Sequence, residues 1–570
     1  MLSSIIGFSC SLHAQSQNVG ETSSRRSLDV VTYKNDQSSH AFEISVDGAV
    51  TSLNNVLTLD RKTHLGSAWK VFVTFYLLDH DMTAKPYFCN GRSKEEVFCC
   101  NRGESIELNT AFAKSCTPYF EQILTEISSE KWSYYWADVI GVTYPWLLDV
   151  HSMKPSKVVN VNELLQVLYK MPIRVEAFAK LQVILSKVKT EGTGSKGFAS
   201  IGSNLSFKTY TWDVSDSERK LQGGIVGWLG DGTTVWMNGK GSSTKVLESF
   251  SSGIGNFANR YSVESDSRCV DVEFFSMYPI RKVFGLESKR QLLEGSLAQK
   301  FEVLFENGNK LVVDEQSGLT LRRMENGRFW IGGRFSYSEY IARVLQREVD
   351  PRKEEAAKAF AILMQTYLEQ NAQIKKGCYQ IKDSSKFQRV WPSRPSPEAI
   401  RIAQWSRDLI LDVPNQIHYH SYLDGSNRLS WRTAAKYAQD GFTFTEILRF
   451  SYPQGKIIMN SKPITDVCQM SNKLSKIVAN ERVNWKRRLM MKQGFEDVGN
   501  IQVCLTRDPQ AYADTHLNRI YMKERGDLED LVTLAHEFVH LTFKHHPNGQ
   551  SEQFAEETAQ RLVNSVGELK

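Results

Sequence analysis

The stretch LGSAWKVFVTFYLL, Leu65–Leu78, decides how the first half of the chain is read. Helical spacing of its apolar residues runs from Ser67 to about His80, and Ser67 and Lys70 stand three apart at the helix start. One helical turn carries the lysine amine to the serine hydroxyl, where a neutral amine can take the hydroxyl proton. The pair alone is weak, because the same spacing recurs at Ser128–Lys131 and Ser186–Lys189. Its surroundings give it weight. Upstream, SLDVVTYKN and HAFEISVDGAVTSL alternate apolar and polar residues, as strands do, with Asp47-Gly48 at a hairpin turn. Residues 105–185 read as mainly helical. Strands return from Asn204 to Met237, and Asp231-Gly232 marks a second hairpin.

Two further segments complete the pattern: AFAKSCTPYF (Ala111–Phe120), and LSFKTYTW (Leu205–Trp212) leading into GGIVGWLGDGTTVW. With Ser67 and Lys70 they resemble the penicillin-binding protein and serine β-lactamase superfamily over residues 28–248. The resemblance implies an α/β sandwich with Ser67 as acylated nucleophile, Lys70 as its base and Ser115 as proton shuttle. Lys208, Thr209 and Thr211 would bind substrate on the third strand, Lys208-Thr209 holding its carboxylate. Two positions depart from the family: Thr117 replaces its asparagine, and Tyr210 replaces a glycine that lets substrate lie close to the strand. A tyrosine there is expected to close the groove.

A second centre is expected in SYSEYIARVLQREVDPRKEEAAKAFAILMQTYL, Ser336–Leu368. Ser336 and Glu339 fit a capping box. Ile341, Val344 and Leu345 form one helical stripe, and Glu348 falls on it. Asp350, with Pro351 behind it, is expected to cap the next helix. An acid facing the core has its pKa raised, as a general acid needs. Together with IHYHS and LSWRTAAKYAQDGFTFTEILRFSYPQG, this segment resembles the SpoIID/LytB family of glycan-cleaving proteins over residues 269–458. The resemblance implies that Glu348 protonates the glycosidic oxygen.

The third centre is LVTLAHEFVHLTFKHH, Leu531–His546. His536 and His540 lie four apart on one helical face, with Glu537 beside them as general base for a metal-assisted attack. SEQFAEETAQRLV, on a following helix, offers Glu556 as third zinc ligand in the gluzincin pattern, with Glu557 and Glu552 as alternates. His545 and His546 read as loop residues at the surface. Residues 465–570 are therefore expected to form a mainly helical zincin-like domain.

The chain has 570 residues, 41% hydrophobic and 24% charged, which bounds it as a globular protein of roughly three or four domains. Its net charge of +6 is weak for that length, and no basic block argues for nucleic acid. No run reaches the ~18 apolar residues of a membrane span. Residues 1–14 read as the back half of a secretory signal, so export is expected. Nine cysteines become eight on its removal, and the cluster Cys89, Cys99, Cys100 and Cys116 favours local disulfides. The Ser/Gly-rich stretch SFSSGIGN lies within residues 249–268, which read as a linker.

The three parts in this order resemble the YfaQ-like family of predicted secreted bacterial proteins. Its genes cluster with bacterial α2-macroglobulins, which implies such a protein as partner. The function expected is an exported, α+β multidomain protein acting on peptidoglycan, with zinc as cofactor. The alternative is a catalytically impaired wall-binding scaffold.

Overall fold

The computed structural model describes residues 27–34, 39–53, 61–214, 220–261, 268–314, 318–324, 327–375, 377–384, 388–420, 428–460, 469–499, 501–505, 511–515, 518–525, 528–544, 546, 549 and 551–564. The expected signal segment and His545 lie outside the described residues.

Three large hydrophobic cores organise the described residues, beside a small cluster of Cys504, Tyr512 and Tyr521. The first is built on a six-stranded antiparallel sheet. Its strands are β1 (Ser27–Tyr33), β2 (His40–Ser45), β3 (Val50–Leu53), β4 (Leu205–Asp213), β5 (Leu221–Leu229) and β6 (Thr234–Lys240). Their order is β3-β2-β1-β6-β5-β4, which leaves β4 on an edge. The hairpins fall where Asp-Gly was read, with Gly48 and Gly232 at positive φ. Helices α1 (Trp69–Asp79), α2 (Thr117–Glu126) and α3 (Val175–Thr190) belong to the helical block between β3 and β4.

The stretch read as a linker is instead a helix, α4 (Ser243–Asn259). Val246, Leu247, Phe250, Ile254 and Phe257 are buried at helical spacing. The glycines that suggested a linker serve close packing: a Cβ on Gly253 would stand 2.5 Å from Ile44 Cγ2. Composition misled here because periodicity was the stronger signal.

The second core packs helices against a ten-stranded sheet. Its principal strands are β7 (Cys269–Phe274), β8 (Ile280–Gly285), β9 (Phe301–Phe305), β10 (Lys310–Val313), β11 (Leu319–Arg323), β12 (Phe329–Ser336) and β13 (Cys378–Lys382). Helices α5 (Tyr337–Glu348) and α6 (Glu354–Asn371) follow β12, and α7 (Pro397–Trp405) packs on them. The Ser336 hydroxyl accepts the Glu339 N–H, but the Glu339 carboxylate takes Arg343 instead of closing a capping box. Asp350 does not cap α6, which starts at Glu354; its carboxylate holds Arg352 in the intervening turn. The helix expected near 429–450 is two, α8 (Trp431–Gln439) and α9 (Phe444–Ser451), broken at Gly441, whose φ is +88°.

The third core joins α10 (Asn472–Leu489), α11 (Leu528–Thr542) and α12 (Glu552–Asn564) to a four-stranded sheet that includes β14 (Gln502–Leu505), β15 (Tyr512–Asp514) and β16 (Arg519–Met522). The local cysteine bridges expected are present as Cys89–Cys100 and Cys99–Cys116, and a long-range one, Cys269–Cys378, links β7 to β13.

The first two cores are keyed together. Phe198 leaves the first module and packs on Trp405 and Phe444 of the second. Gly202, at φ +56°, lies where a Cβ would come within 2.4 Å of Trp405, and the Ser203 N–H donates to the Trp405 carbonyl at 2.8 Å.

Candidate functional site

The first centre lies between the start of α1 and edge strand β4. Lys70 is fully buried in the first turn of α1. Its amine approaches Ser67 Oγ at 3.4 Å, Ser115 Oγ at 3.2 Å, the Ser115 carbonyl at 2.6 Å and Thr117 Oγ1 at 3.0 Å. Burial lowers its pKa to about 7, so a neutral amine is accessible near neutrality. Lys208, reaching from β4, donates to the same Ser115 Oγ at 3.0 Å. Burial, with the like charge of Lys70 beside it, lowers its pKa well below that of an ordinary amine. Ser115 sits at φ +61°, and the next residue, Cys116, is bonded to Cys99. Thr117 supplies one of the lysine's oxygen partners.

Of the expected binding residues, Thr209 stays near the centre, its hydroxyl paired with Thr193 and 3.4 Å from Lys208 Nζ. Thr211 brings its backbone there, its O and N standing 2.9 Å and 3.3 Å from where a Cβ on Gly66 would lie, while its hydroxyl caps the start of α4, bonding Ser243 Oγ at 3.3 Å and accepting the Ser243 N–H at 3.0 Å. Tyr210 does not close the groove. It is buried and reaches back over the sheet, donating to the Met237 carbonyl on β6 at 2.9 Å and stacking on Trp212.

Glu348 ends α5 with its side chain 11% exposed. The Arg389 N–H donates to its Oε1 at 2.8 Å. Burial pushes its pKa up to about 7 against the pull of that bond and of the Arg389 charge. The adjacent Val390 N–H donates to Asp383 Oδ1 at 2.9 Å, and burial raises the pKa of that acid too. Gln388 links Tyr340 to Tyr419 nearby, at 2.6 Å and 2.8 Å. Sequence reasoning missed Asp383 and Gln388; they lie 35 or more residues beyond Glu348 and carry no local pattern.

In the third core α11 presents His536 and His540 on one face, their Nε2 atoms 3.1 Å apart. The carboxylate that meets both is Glu552, at 3.1 Å from His536 Nε2 and 3.9 Å from His540 Nε2. Glu556, expected as the ligand, lies one turn further along α12 and contacts the outer nitrogen of His536, Nδ1, at 3.1 Å. Helix phase thus brings Glu552, one of the two alternates, to the inner nitrogens and Glu556 to the outer one. His540 Nδ1 pairs with the Gly549 carbonyl at 2.7 Å. The three inner donor atoms lie within 4.8 Å of one another, close to the ~3.3 Å edges of a tetrahedron with ~2 Å bonds. Imidazole and carboxylate donors in that arrangement fit zinc. Glu537 is buried on the same helix. His546 is part-buried, stacked on Phe554. The sulfurs of Cys99, Cys100 and Cys116 also cluster but are tied up in disulfides.

Fold and sites together define a mixed α/β multidomain protein with a polar centre on each of three cores. Its family is narrower. Residues 91–201 and 427–548 match the family described as "Predicted secreted protein (DUF2300)". A relative named "Uncharacterized protein YfaQ", from Escherichia coli (strain K12), is 33% identical over 531 residues, 92% of this chain and 94% of its own. The chain belongs to that family. Membership places it among predicted secreted proteins, as its sequence led one to expect, and no described helix is long and apolar enough to cross a membrane. Among solved structures, a peptidoglycan glycosyltransferase from Burkholderia ambifaria is 14% identical, covering 42% of this chain and 90% of its own at a TM-score of 0.28. A class D β-lactamase from Fusobacterium nucleatum subsp. polymorphum is 13% identical, covering 41% and 91% at 0.28.

Proposed function

We propose that the chain is an exported peptidoglycan-active protein that cleaves peptides at His536/His540 and glycan at Glu348. The observation that carries the reading is the meeting of His536 Nε2, His540 Nε2 and Glu552 Oε2 at one point, with Glu537 buried on the same helix. These three residues would hold zinc, which when bound would supply Lewis-acid polarisation for peptide hydrolysis. Glu537 takes the proton of the attacking water and returns it to the leaving amine. Glu556 and the Gly549 carbonyl orient the imidazoles through their outer nitrogens. At the second centre Glu348, protonated near neutrality, donates its proton to the glycosidic oxygen and then assists the sugar's C6 hydroxyl in closing an anhydro ring. At the first, Lys70 takes the Ser67 proton as Ser67 Oγ attacks a stem-peptide carbonyl; the peptide C–N bond breaks and Ser115 relays the proton to the departing amine, leaving acyl-Ser67.

Peptidoglycan digestion followed by mass spectrometry tests this. Cut stem peptides are expected from wild type and not from Glu537→Gln; anhydro-sugar ends are expected from wild type and not from Glu348→Gln. Intact peptidoglycan after exposure to zinc-loaded protein would refute the reading. One observation favours a second reading: Glu348 is nearly enclosed and its carboxylate already holds the Arg389 N–H. A wall-binding scaffold that partners an α2-macroglobulin-like protein would bind peptidoglycan and leave it whole.

A further inference from the structure

The net charge of the chain is not evenly spread. Residues 472–492, which are α10 and the turn behind it, hold seven Lys or Arg against the single acid Glu481, leaving +6. That equals the net charge of all 570 residues. The helix buries Leu474, Val478, Trp485 and Leu489 in the third core. Its other side is open, and a groove of about 470 Å³ runs there beside Ala479, Val483 and Met490 down to the core residues Val478 and Ile501. Val483 is 61% exposed, Met490 56% and Met491 87%. Arg482 and Lys486 at the rim are paired with Asp497. Arg487 and Arg488 are exposed and make no ion pair among the described residues.

Cations and bare apolar side chains on one face answer two needs at once. The cations meet phosphates; the methionines and valine leave water only where acyl chains receive them. A polyanion without acyl chains would use the first group and leave the second in water. We propose that the outer face of α10 docks on an anionic phospholipid bilayer, holding this exported protein peripherally at a membrane surface. The proposal is independent of the activity assigned above.

Sedimentation of the full chain with phosphatidylglycerol–phosphatidylethanolamine vesicles, against phosphatidylcholine vesicles, tests it. Binding to the anionic vesicles alone is expected. Each cation at such a surface strengthens binding roughly fivefold, so Lys476→Ala/Arg487→Ala/Arg488→Ala should weaken it roughly 100-fold. Met490→Ser/Met491→Ser should weaken it about tenfold even with every cation present. Both variants alter exposed side chains, and an unchanged Tm confirms that they fold. No binding by wild type, or equal binding by the charge variant, overturns the proposal. So does binding that the methionine variant leaves intact and soluble polyphosphate displaces, which would mark a polyanion site instead.

Discussion

The Ser67 and His536 centres handle buried polar groups in opposite ways. Around Lys70 the chain supplies every partner: oxygens from Ser67, Ser115 and Thr117 surround the amine, and burial strips its charge near neutrality. Around His536 the chain supplies only half. Two imidazole nitrogens and a carboxylate oxygen point at one another, an arrangement that a cation completes. The contrast teaches that the first centre is complete within the fold, while the second is expected to need an ion to complete it. Removing metal should therefore silence one and leave the other.

The largest effect should come at Ser67. A fluorescent penicillin is expected to label the chain, Ser67→Ala to abolish labelling, and a chelator to leave it unchanged. The labelling rate should climb as pH rises through about 7, because Lys70 must lose its proton to act as base. Labelling that survives Ser67→Ala breaks the comparison on its first side. On the other side, Glu537→Gln should lower peptide hydrolysis by roughly 10²–10⁴-fold while elemental analysis still finds about one zinc per chain. Loss of zinc from that variant would make Glu537 a ligand and contradict the geometry.

Tyr210→Gly sharpens the contrast further. If the Ser67 centre is built into the fold, removing a buried ring bonded to Met237 should cost about 3–5 kcal/mol of stability, read by denaturant unfolding, and should not improve labelling. Glu348 lies between the two cases, an acid sealed in without a full set of partners. Its raised pKa means that the folded state holds a proton the unfolded chain has released above pH 4.5. That contribution to stability is full below about 4.5 and is lost as pH rises to about 7. Glu348→Gln should thus match wild type near pH 4 and exceed it by about 3 kcal/mol at pH 8. Smallest is Glu556→Gln, expected to weaken zinc affinity roughly 10–100-fold, as for an orienting group, where Glu552→Gln weakens it more. The reverse order, measured by competition with a chelator, would restore Glu556 as the ligand.

What could be read from sequence followed the range of the interaction. His536 and His540 share a helical face by spacing alone, and Glu348 lies on an apolar stripe that is visible in one line of text. Glu552 and Glu556 could not be told apart in the sequence, because they lie one turn apart on α12 and spacing alone does not fix which of them meets the imidazoles. The second engagement of the Thr211 hydroxyl was hidden for a different reason. Reading 249–256 as a linker hid α4, and with it the N-terminus that takes the Thr211 hydroxyl. Asp383 and Gln388 come to Glu348 through the fold of the second core, tied at Cys269–Cys378, and had no local signal. The basic character of α10 was diluted in a whole-chain average.

The seam at Gly202 and Trp405 has a consequence for inheritance. A hydrogen is the largest side chain that position 202 accepts, and Ser203 is bonded to the residue it touches. A crossover that exchanged the first core for that of a distant homologue would bring a foreign surface to Trp405 and strand Phe198 in water. Exchanging the first core alone is therefore expected to cost stability at this seam, which exchanging both cores together would spare.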